Sequence, residues 1–429
     1  MAATPSVTGR GLNTGLLSES EVRLLIADGL AKLPLAGRRV LVIIPDSTRT
    51  MPMPLVFEVL EQQLGHQTKA LDYLVALGTH TPMTDAQLSQ HLGTSVINGH
   101  AGQRQIFNHR WDDPEAFVTL GTIPSSELEA LTETAHPRLR TAMRKHADHD
   151  VEVRLNRLIL DYDHLLICGP VFPHEVAGFS GGAKYFFPGI AGPEIIHFTH
   201  WLGALLTSHD IIGTADTLVR QVIHRATEFI RRPHSLLAPV VTKEGVAGIF
   251  CGPTIQTWHA AAELSSRRHI VFLDRPVQRA LSILPTMYDD LWTGAKGMYK
   301  LEPVIADGGE VVIYAPNITE VSYVHGALID QIGYHCRDYF LGQWDKFKHI
   351  PGGILAHSTH LRGKGTYDTA THTEHPRIQV TLATGIPEQR CHDLNLGYRD
   401  PASINIETWR SDPESLVVDQ AGEMLYRLK

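Results

Sequence analysis

The stretch Arg39-Val-Leu-Val-Ile-Ile44, followed by Pro45-Asp-Ser-Thr-Arg49, decides the fold class. Its first six residues form an apolar run rich in β-branched side chains, which is typical of a strand buried on both faces of a parallel sheet. The polar residues after it predict a loop at the carboxyl end of that strand. Since ligands of open parallel sheets bind beyond these ends, the loop is a candidate binding segment.

Helix and strand patterns alternate on both sides of this stretch. A helix is predicted from Ser18, whose side chain can cap the first turn, and apolar residues recur at helical spacing from there to Leu33. After the first strand, the patterns predict a helix, a strand and a helix at residues 54–64, 71–77 and 84–92. The second strand runs into a Gly-Thr-His80 sequence. Because the carboxyl ends of parallel strands meet at one edge of a sheet, we expect Asp46, Arg49 and His80 to lie close together.

The rest of the chain repeats this alternation. Further strands are predicted at residues 158–160, 164–168, 269–273 and 310–314, and further helices at residues 216–231, 256–266 and from about Leu328. The charged segment 124–150 suits an exposed helical excursion. With 429 residues the chain is long enough for two domains. We predict an α/β fold of two domains, residues 1–275 and 276–429, each with a mostly parallel sheet flanked by helices, and a functional site in the cleft between them.

Composition and charge exclude several classes of protein. The chain is 43% hydrophobic and 20% charged, which is typical of a soluble globular protein and not of a disordered or collagen-like one. Its 38 Lys and Arg residues against 46 Asp and Glu residues give a net charge of −8, so we expect no general attraction to nucleic acid or to an anionic membrane. A small molecule is the expected partner.

The sequence also predicts where the protein resides. No apolar run approaches the roughly 18 residues of a membrane-spanning helix, and residues 1–17 lack the basic and apolar pattern of a signal peptide. The four cysteines are far apart and form no CxxC pair, which favours reduced structural thiols over a thiolate metal site. We therefore expect a cytoplasmic protein.

The segment Gly178-Phe-Ser-Gly-Gly-Ala-Lys184 is the most informative motif of the chain. The backbone N–H groups of such a turn can cradle an anionic group, and a lysine follows the glycines directly. The segment is not a P-loop, because Ala183 and Tyr185 flank the lysine where that motif has glycine and serine or threonine. A phosphate-bearing ligand is one interpretation, and a turn that only connects two elements is the other.

Histidine is unusually abundant, with 25 residues in the chain of 429. If the segment 194–200 is helical, His197 and His200 lie on one face of the helix, where they can bind a common metal ion. His357 and His360 have the same spacing. Such pairs also occur by chance in a histidine-rich chain, so spacing alone decides neither pair.

Several of these segments, in this order and at this approximate spacing, resemble the nickel-pincer lactate racemase family. The matching segments are Asp46-Ser-Thr-Arg49, Ala76-Leu-Gly-Thr-His80, Pro173-His174, Ala177-Gly-Phe-Ser-Gly-Gly-Ala-Lys184, Pro188-Gly-Ile-Ala-Gly192 and the region of Lys296. Together they cover most of the chain. The glycine-rich segment with the Pro-Gly-x-x-Gly sequence after it is the specific part of the resemblance.

The resemblance implies a resident cofactor. Members of the family carry a nickel-pincer nucleotide, a pyridinium-3,5-bisthiocarboxylic acid mononucleotide that holds nickel and is tethered to a lysine, which Lys184 matches. The nickel-binding histidine of the family matches His200, with His197 as the competing candidate. We expect further cofactor contacts from Asp46, Ser47, Thr48, Ser180, Gly181 and Gly182. The resemblance also implies partner proteins that build and insert the cofactor.

The resemblance further implies an isomerase, a racemase or epimerase that inverts the C2 centre of a 2-hydroxy acid. Moving a hydride to an electron-poor ring and back avoids a carbanion, and one acid/base group is then needed for each enantiomer. By family motif this pair is His80 and His174. Arg49 and Lys296 match the cations that hold the substrate carboxylate. The C-terminal domain is expected to close over a catalytic N-terminal domain.

One residue departs from the family pattern. The family has a glutamine three residues before its second carboxylate-binding cation, whereas this chain has Thr293. A shorter side chain in the substrate-binding shell puts lactate itself in doubt. A longer or more polar 2-hydroxy acid, or a sugar acid inverted at C2, is an equally good prediction.

Two other functions stay open at this point. The first is a metal-dependent hydrolase that uses His197, His200 and either Asp46 or Glu194 around zinc or manganese, although the chain has no HExxH motif. The second is a non-catalytic binder of a small phosphorylated anion that uses the glycine-rich turn alone.

Overall fold

The computed structural model of the protein describes residues 6–133, 141–142, 144 and 149–429. In the charged segment predicted as an excursion, residues 125–133 form a helix, and residues 134–140, 143 and 145–148 lie outside the described residues. The described chain has the predicted α/β class, with two larger sheets and several two-stranded ones.

The strands are short and alternate with helices along most of the chain. In chain order the strands are β1 (Thr8–Gly11), β2 (Arg39–Ile44), β3 (Ala70–Val75), β4 (His100–Ala101), β5 (Arg104–Asn108), β6 (Phe117–Ile123), β7 (Val151–Asn156), β8 (His164–Cys168), β9 (Pro173–His174), β10 (Gly178–Phe179), β11 (His234–Thr242), β12 (Gly245–Pro253), β13 (Ile270–Leu273), β14 (Val277–Ile283), β15 (Ile305–Ala315), β16 (Gly365–Asp368), β17 (Thr373–Pro376), β18 (Gln379–Thr384), β19 (Gly397–Tyr398), β20 (Ser415–Val418) and β21 (Leu425–Leu428). The helices are α1 (Glu19–Ala31), α2 (Met53–Leu64), α3 (Asp85–Leu92), α4 (Ser125–Glu133), α5 (Pro193–Leu206), α6 (Ser208–Ile211), α7 (Leu218–Thr227), α8 (Thr254–His269), α9 (Leu291–Gly294), α10 (Lys296–Tyr299), α11 (Gly326–Ile332), α12 (Arg337–Gly342), α13 (Trp344–Phe347), α14 (Gly352–Arg362), α15 (Glu388–Asp393) and α16 (Ile406–Ser411).

The larger sheet has eight strands in the order β1-β12-β11-β8-β2-β3-β5-β4. Its centre, from β11 to β5, is parallel, and antiparallel strands complete both edges. Strands β2 and β3 are in register from Arg39 opposite Ala70 to Ile44 opposite Val75. Both strands therefore end at the same level, which brings the loop after Ile44 beside the loop that carries His80.

Most of the predicted helices and strands are present, but the prediction of one strand is wrong. Helix α1 has the predicted cap, because the Ser18 side chain accepts a hydrogen bond from the Glu21 N–H, and the Glu21 carboxylate accepts one from the Ser18 N–H. Residues 158–160 form no strand, since they belong to the 3-10 helix Arg157–Asp161. The Asn156 side chain caps the Leu158 N–H at 3.1 Å and turns the chain there, at the end of β7.

The second larger sheet lies in the C-terminal half of the chain. It has five parallel strands in the order β19-β18-β15-β14-β20, and its first residue in sequence is Val277. The division of the chain at residue 276 stays a prediction.

Helices α5 and α14 join the two halves. The Gly353 N–H of α14 donates to His197 Nδ1 of α5 at 3.3 Å, and Trp201 of α5 stacks on Trp344 of α13 with ring centroids 5.7 Å apart. The buried apolar side chains around these rings belong to one core that includes residues of both halves. The packing brings α14 against the carboxyl ends of the parallel strands of the larger sheet.

Two further sequence predictions concern helices and thiols. Among the residues that the structure describes, no helix combines the length and the apolar character that a membrane crossing requires. The four cysteines are all buried and unpaired thiols, as the absence of a CxxC pair predicted.

Candidate functional site

A single cavity collects most of the residues that the sequence singles out. It lies beyond the carboxyl ends of β2, β3 and β8, and α14 and the segment 292–299 form its other wall. The predicted site residues that line it are Asp46, Arg49, His80, His174, Ser180, Gly181, Lys184, His200, Thr293 and Lys296. Two widely separated parts of the chain therefore contribute polar groups to one cavity.

Four candidates do not line this cavity. Ser47 is exposed, and Thr48 lines a smaller adjoining cavity while its hydroxyl donates to Asp46 Oδ1 at 2.7 Å. Gly182 packs against Trp258 instead. His197 accepts a hydrogen bond from the Gly353 N–H at 3.3 Å and lies outside the lining, which leaves His200 as the member of that pair that faces the cavity.

Asp46 and His80 form a partly buried hydrogen-bonded pair at the ends of β2 and β3. His80 Nδ1 lies 2.5 Å from Asp46 Oδ2, while Asp46 Oδ1 accepts hydrogen bonds from the backbone and side chain of Thr48. Burial opposes ionisation of Asp46, but the positive charges of His80 and Arg49 hold the pKa of this carboxyl well below its usual range. When the His80 ring is neutral, the ionised Asp46 keeps its single proton on Nδ1 and leaves a free electron pair on Nε2.

The glycine-rich segment is held by packing on both sides. Gly178, Gly181 and Gly182 have φ angles of +77°, +78° and +59°, a region that favours glycine. A Cβ on Gly178 would lie 1.8 Å from the Thr214 carbonyl oxygen. The turn therefore needs glycine for its backbone conformation.

Two buried side chains fix the carbonyl groups of this segment. Arg220 donates to the carbonyls of Gly181, at 3.3 Å, and of Phe179, and its guanidinium lies 4.1 Å from the Trp258 ring centroid. The Trp258 indole N–H donates to the Ser180 carbonyl at 2.8 Å. These contacts set the position of the segment that ends at Lys184.

Lys184 presents an unpaired amine to the cavity. No hydrogen bond or ion pair joins its Nζ to another residue in the described part of the chain. Burial, followed by the nearby positive charge of Arg49, lowers the pKa of Lys184 to about 7. A large fraction of this amine is therefore neutral, and nucleophilic, near neutral pH.

We expect the apoprotein to show this property in chemical labelling. The fraction of Lys184 that an amine-selective reagent acylates in a short pulse should rise with a midpoint near pH 7, because only the neutral amine reacts and the pKa is lowered to about 7. Peptide mass spectrometry at Lys184 measures the fraction at each pH. A midpoint near the ordinary lysine value of about 10.4 would contradict the assignment.

His200 has one ring nitrogen committed and one available. Its Nδ1 lies 2.7 Å from the Ile196 carbonyl oxygen, which can only accept, so Nδ1 carries the proton and Nε2 has a free electron pair. Burial, followed by the positive charge of Lys184, lowers the pKa of His200 to about 3. A neutral imidazole oriented by a backbone carbonyl is the state that binds a metal ion.

His174 has the opposite arrangement. Its Nδ1 accepts a hydrogen bond from the Val176 N–H at 3.1 Å, so in the neutral ring the proton lies on Nε2. Burial, together with the positive charges of Lys184 and Arg49, holds the pKa of His174 well below its usual range. The two candidate acid/base histidines thus differ in tautomer, since His80 keeps its proton on Nδ1.

The cavity also contains functional groups that sequence reasoning did not assign. They are Glu175, Trp292, Tyr299, His357 and His360. The equal spacing of His357 and His360 was visible in the sequence, but nothing in it indicated that α14 packs against this site. Lys296 Nζ and both ring nitrogens of His360 are buried without a hydrogen-bond partner among the described residues.

The residues do not build a metal site from protein ligands alone. Within the described ranges, no group of three His, Cys, Asp or Glu side chains is placed to hold a metal ion. The hydrolase alternative required Glu194 or Asp46, but Glu194 pairs with Arg154 at 2.9 Å and Asp46 pairs with His80. That alternative therefore lacks its ligand set, whereas a site with one histidine ligand and further ligands from a bound cofactor fits the residues.

A family model matches the part of the chain that contains these cavity residues of the N-terminal half. Residues 22–136 and 131–211 match the model described as lactate racemase N-terminal domain. The match contains the Asp46, His80, His174, Lys184 and His200 positions.

Two curated relatives are each named lactate racemase. The protein from Lactiplantibacillus plantarum is 24% identical over 300 residues, which are 67% of this chain and 62% of the relative. The protein from Thermoanaerobacterium thermosaccharolyticum is 24% identical over 286 residues, which are 65% of this chain and 60% of the relative. The chain thus spans about three fifths of the length of the curated relatives it matches.

Two solved structures resemble the fold. The crystal structure of a protein from Thermotoga maritima has a TM-score of 0.88 at 32% identity and covers 97% of this chain and 100% of that chain. The lactate racemase apoprotein from Thermoanaerobacterium thermosaccharolyticum has a TM-score of 0.70 at 17% identity and covers 98% of this chain and 94% of that chain. The second likeness concerns the fold alone.

Proposed function

Since the chain belongs to the lactate racemase family, we propose that it is an isomerase, a racemase or epimerase that inverts the C2 centre of a small 2-hydroxy acid. The observation that carries this proposal is the convergence of Lys184, His200, His80 and His174 on one cavity. The chain's own relatives are named for lactate. The identity of the 2-hydroxy acid is a separate question, taken up below.

The residues fit a tethered nickel-pincer nucleotide. Lys184 would hold it covalently, because its amine is unpaired and largely neutral, and His200 would bind the nickel through the free Nε2. The rigid turn that Arg220 and Trp258 hold keeps Lys184 in place. When bound, the electron-poor pyridinium ring supplies a reversible acceptor for the C2 hydride.

His80 and His174 would handle the hydroxyl proton of the substrate. His80 presents a basic Nε2, which takes the O–H proton as the C–H bond at C2 is oxidised, and Asp46 stabilises the imidazolium that forms. His174 would serve the other enantiomer: as the imidazolium it gives its Nε2 proton to the oxygen of the 2-oxo acid after it has turned, and exchange with solvent returns both histidines to their starting protonation states. In the reverse direction the two histidines exchange roles.

Arg49 and Lys296 would hold the substrate carboxylate. Both line the cavity, and Lys296 Nζ has no hydrogen-bond partner among the described residues, so an anionic ligand would satisfy it. Its nearest aromatic neighbour is Tyr288, whose ring centroid lies 4.6 Å from Nζ. Arg49 and Lys296, from the two halves of the chain, would thus fix one end of the substrate while C2 changes configuration.

Co-production with cofactor-building proteins of the family tests this function. We expect a covalent adduct in the intact mass, nickel in the metal analysis, and loss of optical activity when single enantiomers of 2-hydroxy acids are added. Protein that carries the adduct and nickel but changes no enantiomer of a broad 2-hydroxy acid panel would contradict the proposal.

A further inference from the structure

His360 on α14 is a buried histidine whose ring has no partner. Its side chain lines the main cavity and is only 4% exposed, and neither Nδ1 nor Nε2 has a hydrogen-bond partner among the described residues. A neutral imidazole carries one donor and one acceptor, and leaving both unsatisfied in a buried place costs free energy. A ligand in the cavity is the natural partner for them.

The neighbouring histidine of the same helix does not share this property. His357 stacks on Trp292 with ring centroids 4.0 Å apart, and its Nε2 is 3.2 Å from the Tyr334 hydroxyl. His357 therefore forms part of the packed wall. The difference between the two rings points to a specific group that binds at His360.

Glu175 supplies the second polar group at this side of the cavity. It lines the same cavity, and its Oε2 lies 3.3 Å from His174 Nδ1, with Tyr299 as a further neighbour. An ionised carboxylate only accepts hydrogen bonds. The pair therefore offers an acceptor at Glu175 and both a donor and an acceptor at His360.

We propose, on the basis of the function proposed above, that His360 and Glu175 bind a hydroxyl group of the substrate beyond C2, so that the preferred substrates are polyhydroxylated 2-hydroxy acids. A hydroxyl group can donate to Glu175 and accept from His360 at the same time. The methyl group of lactate would leave both ring nitrogens of His360 unsatisfied, and a second carboxylate would be repelled by Glu175.

The short side chain of Thr293 is consistent with a cavity that accepts a substrate with a hydroxyl group beyond C2. Its hydroxyl donates at 2.9 Å to Oδ1 of Asp290, the N-cap residue of helix α9, so the hydroxyl is committed to its own segment. The short side chain leaves space at the place where the family has a glutamine. A substrate with more than three carbons or with an added hydroxyl group can use that space.

A matched pair of ligands tests the inference. Glycerate and 2-hydroxybutyrate have nearly the same shape and differ by a hydroxyl or a methyl group on C3. We expect the apoprotein to bind glycerate at least about tenfold more tightly in calorimetry, and the cofactor-loaded enzyme to show the same preference in kcat/KM, because a site built for a hydroxyl rejects an analogue that lacks it.

Substitutions at His360 should change this preference. His360→Phe should reduce the ratio between the two ligands to about one, and His360→Gln, which keeps a donor and an acceptor, should retain most of it. His349→Phe is the matched control, because His349 is exposed and lies outside the cavity, and it should keep the full ratio. If the His360→Phe protein does not fold, the affinities of the wild-type and His360→Gln proteins for glycerate and 2-hydroxybutyrate test the inference instead.

The outcomes separate this inference from the proposed function. Equal or better binding of 2-hydroxybutyrate, or a preference for malate over glycerate, would overturn the role of His360 and Glu175 while leaving an isomerase intact. A glycerate preference in binding without isomerisation of any 2-hydroxy acid would support the role of His360 and contradict the proposed function.

Discussion

Replacement of Lys184 by alanine should abolish both cofactor retention and isomerisation. Because the amine of Lys184 is the proposed covalent attachment point, protein co-produced with the cofactor-building proteins should show no adduct in its intact mass. Activity should fall by at least about 10³-fold, which corresponds to about 4 kcal/mol of transition-state stabilisation. Intact mass, nickel content and loss of optical activity measure the three consequences on one sample.

Lys300 offers a matched control for this substitution. It is also a buried lysine, but it lines the adjoining cavity and donates to the Glu423 carbonyl at 2.8 Å. Lys300→Met protein should retain the adduct at Lys184. If instead the Lys184→Ala protein keeps both adduct and activity, the attachment point lies elsewhere.

The second large effect is expected at the Asp46 and His80 pair. Asp46→Asn should lower kcat by about 10² to 10⁴, because an amide can donate to His80 Nδ1 and so move the ring proton to Nε2, which then cannot act as a base. The two enantiomers of a substrate have equal free energies in solution. The value of kcat/KM must therefore fall by the same factor in both directions.

Polarimetry from each pure enantiomer measures this effect. Thr48→Ser is the control, because it keeps the hydroxyl that donates to Asp46 Oδ1, and it should retain most of the activity. A melting curve excludes unfolding of the Asp46→Asn protein. Activity within about twofold of wild type, with the cofactor bound, would mean that His80 is not an acid/base group.

Local signals in the sequence predicted the central part of the fold. Strand β2 was predicted with its observed bounds, because a β-branched apolar run between polar ends has few other stable arrangements. The start of α1 followed from Ser18, whose reciprocal bonds with Glu21 need only four consecutive residues. The 158–160 run had the same apolar character but became a 3-10 turn, since the Asn156 cap, a single hydrogen bond, decides its conformation.

The residues of the candidate site that follow the ends of parallel strands were predictable from the sequence. Asp46 and His80 follow neighbouring parallel strands, so topology alone brings them together, and the 2.5 Å contact between them agrees with that expectation. His360 was not predictable in this way. Its position depends on the packing of α14 against α5, a tertiary contact between segments about 150 residues apart in sequence.

The glycine-rich segment shows a different limit of sequence reasoning. The sequence indicated a turn that can cradle an anion or connect two elements, and the structure adds that its glycines are required by positive φ angles and by close backbone contacts, as at Gly178. Spacing alone does not reveal either requirement.

The fate of the C2 hydrogen tests the central claim most directly. We propose that this hydrogen leaves as a hydride to a bound acceptor and returns to the same carbon, while His80 and His174 move only the hydroxyl proton. A single enantiomer of a 2-deuterated 2-hydroxy acid, converted in ordinary water by the cofactor-loaded enzyme, should give the opposite enantiomer with its deuterium retained. Replacement of that deuterium by solvent hydrogen in step with inversion would show proton abstraction at C2 and contradict the account.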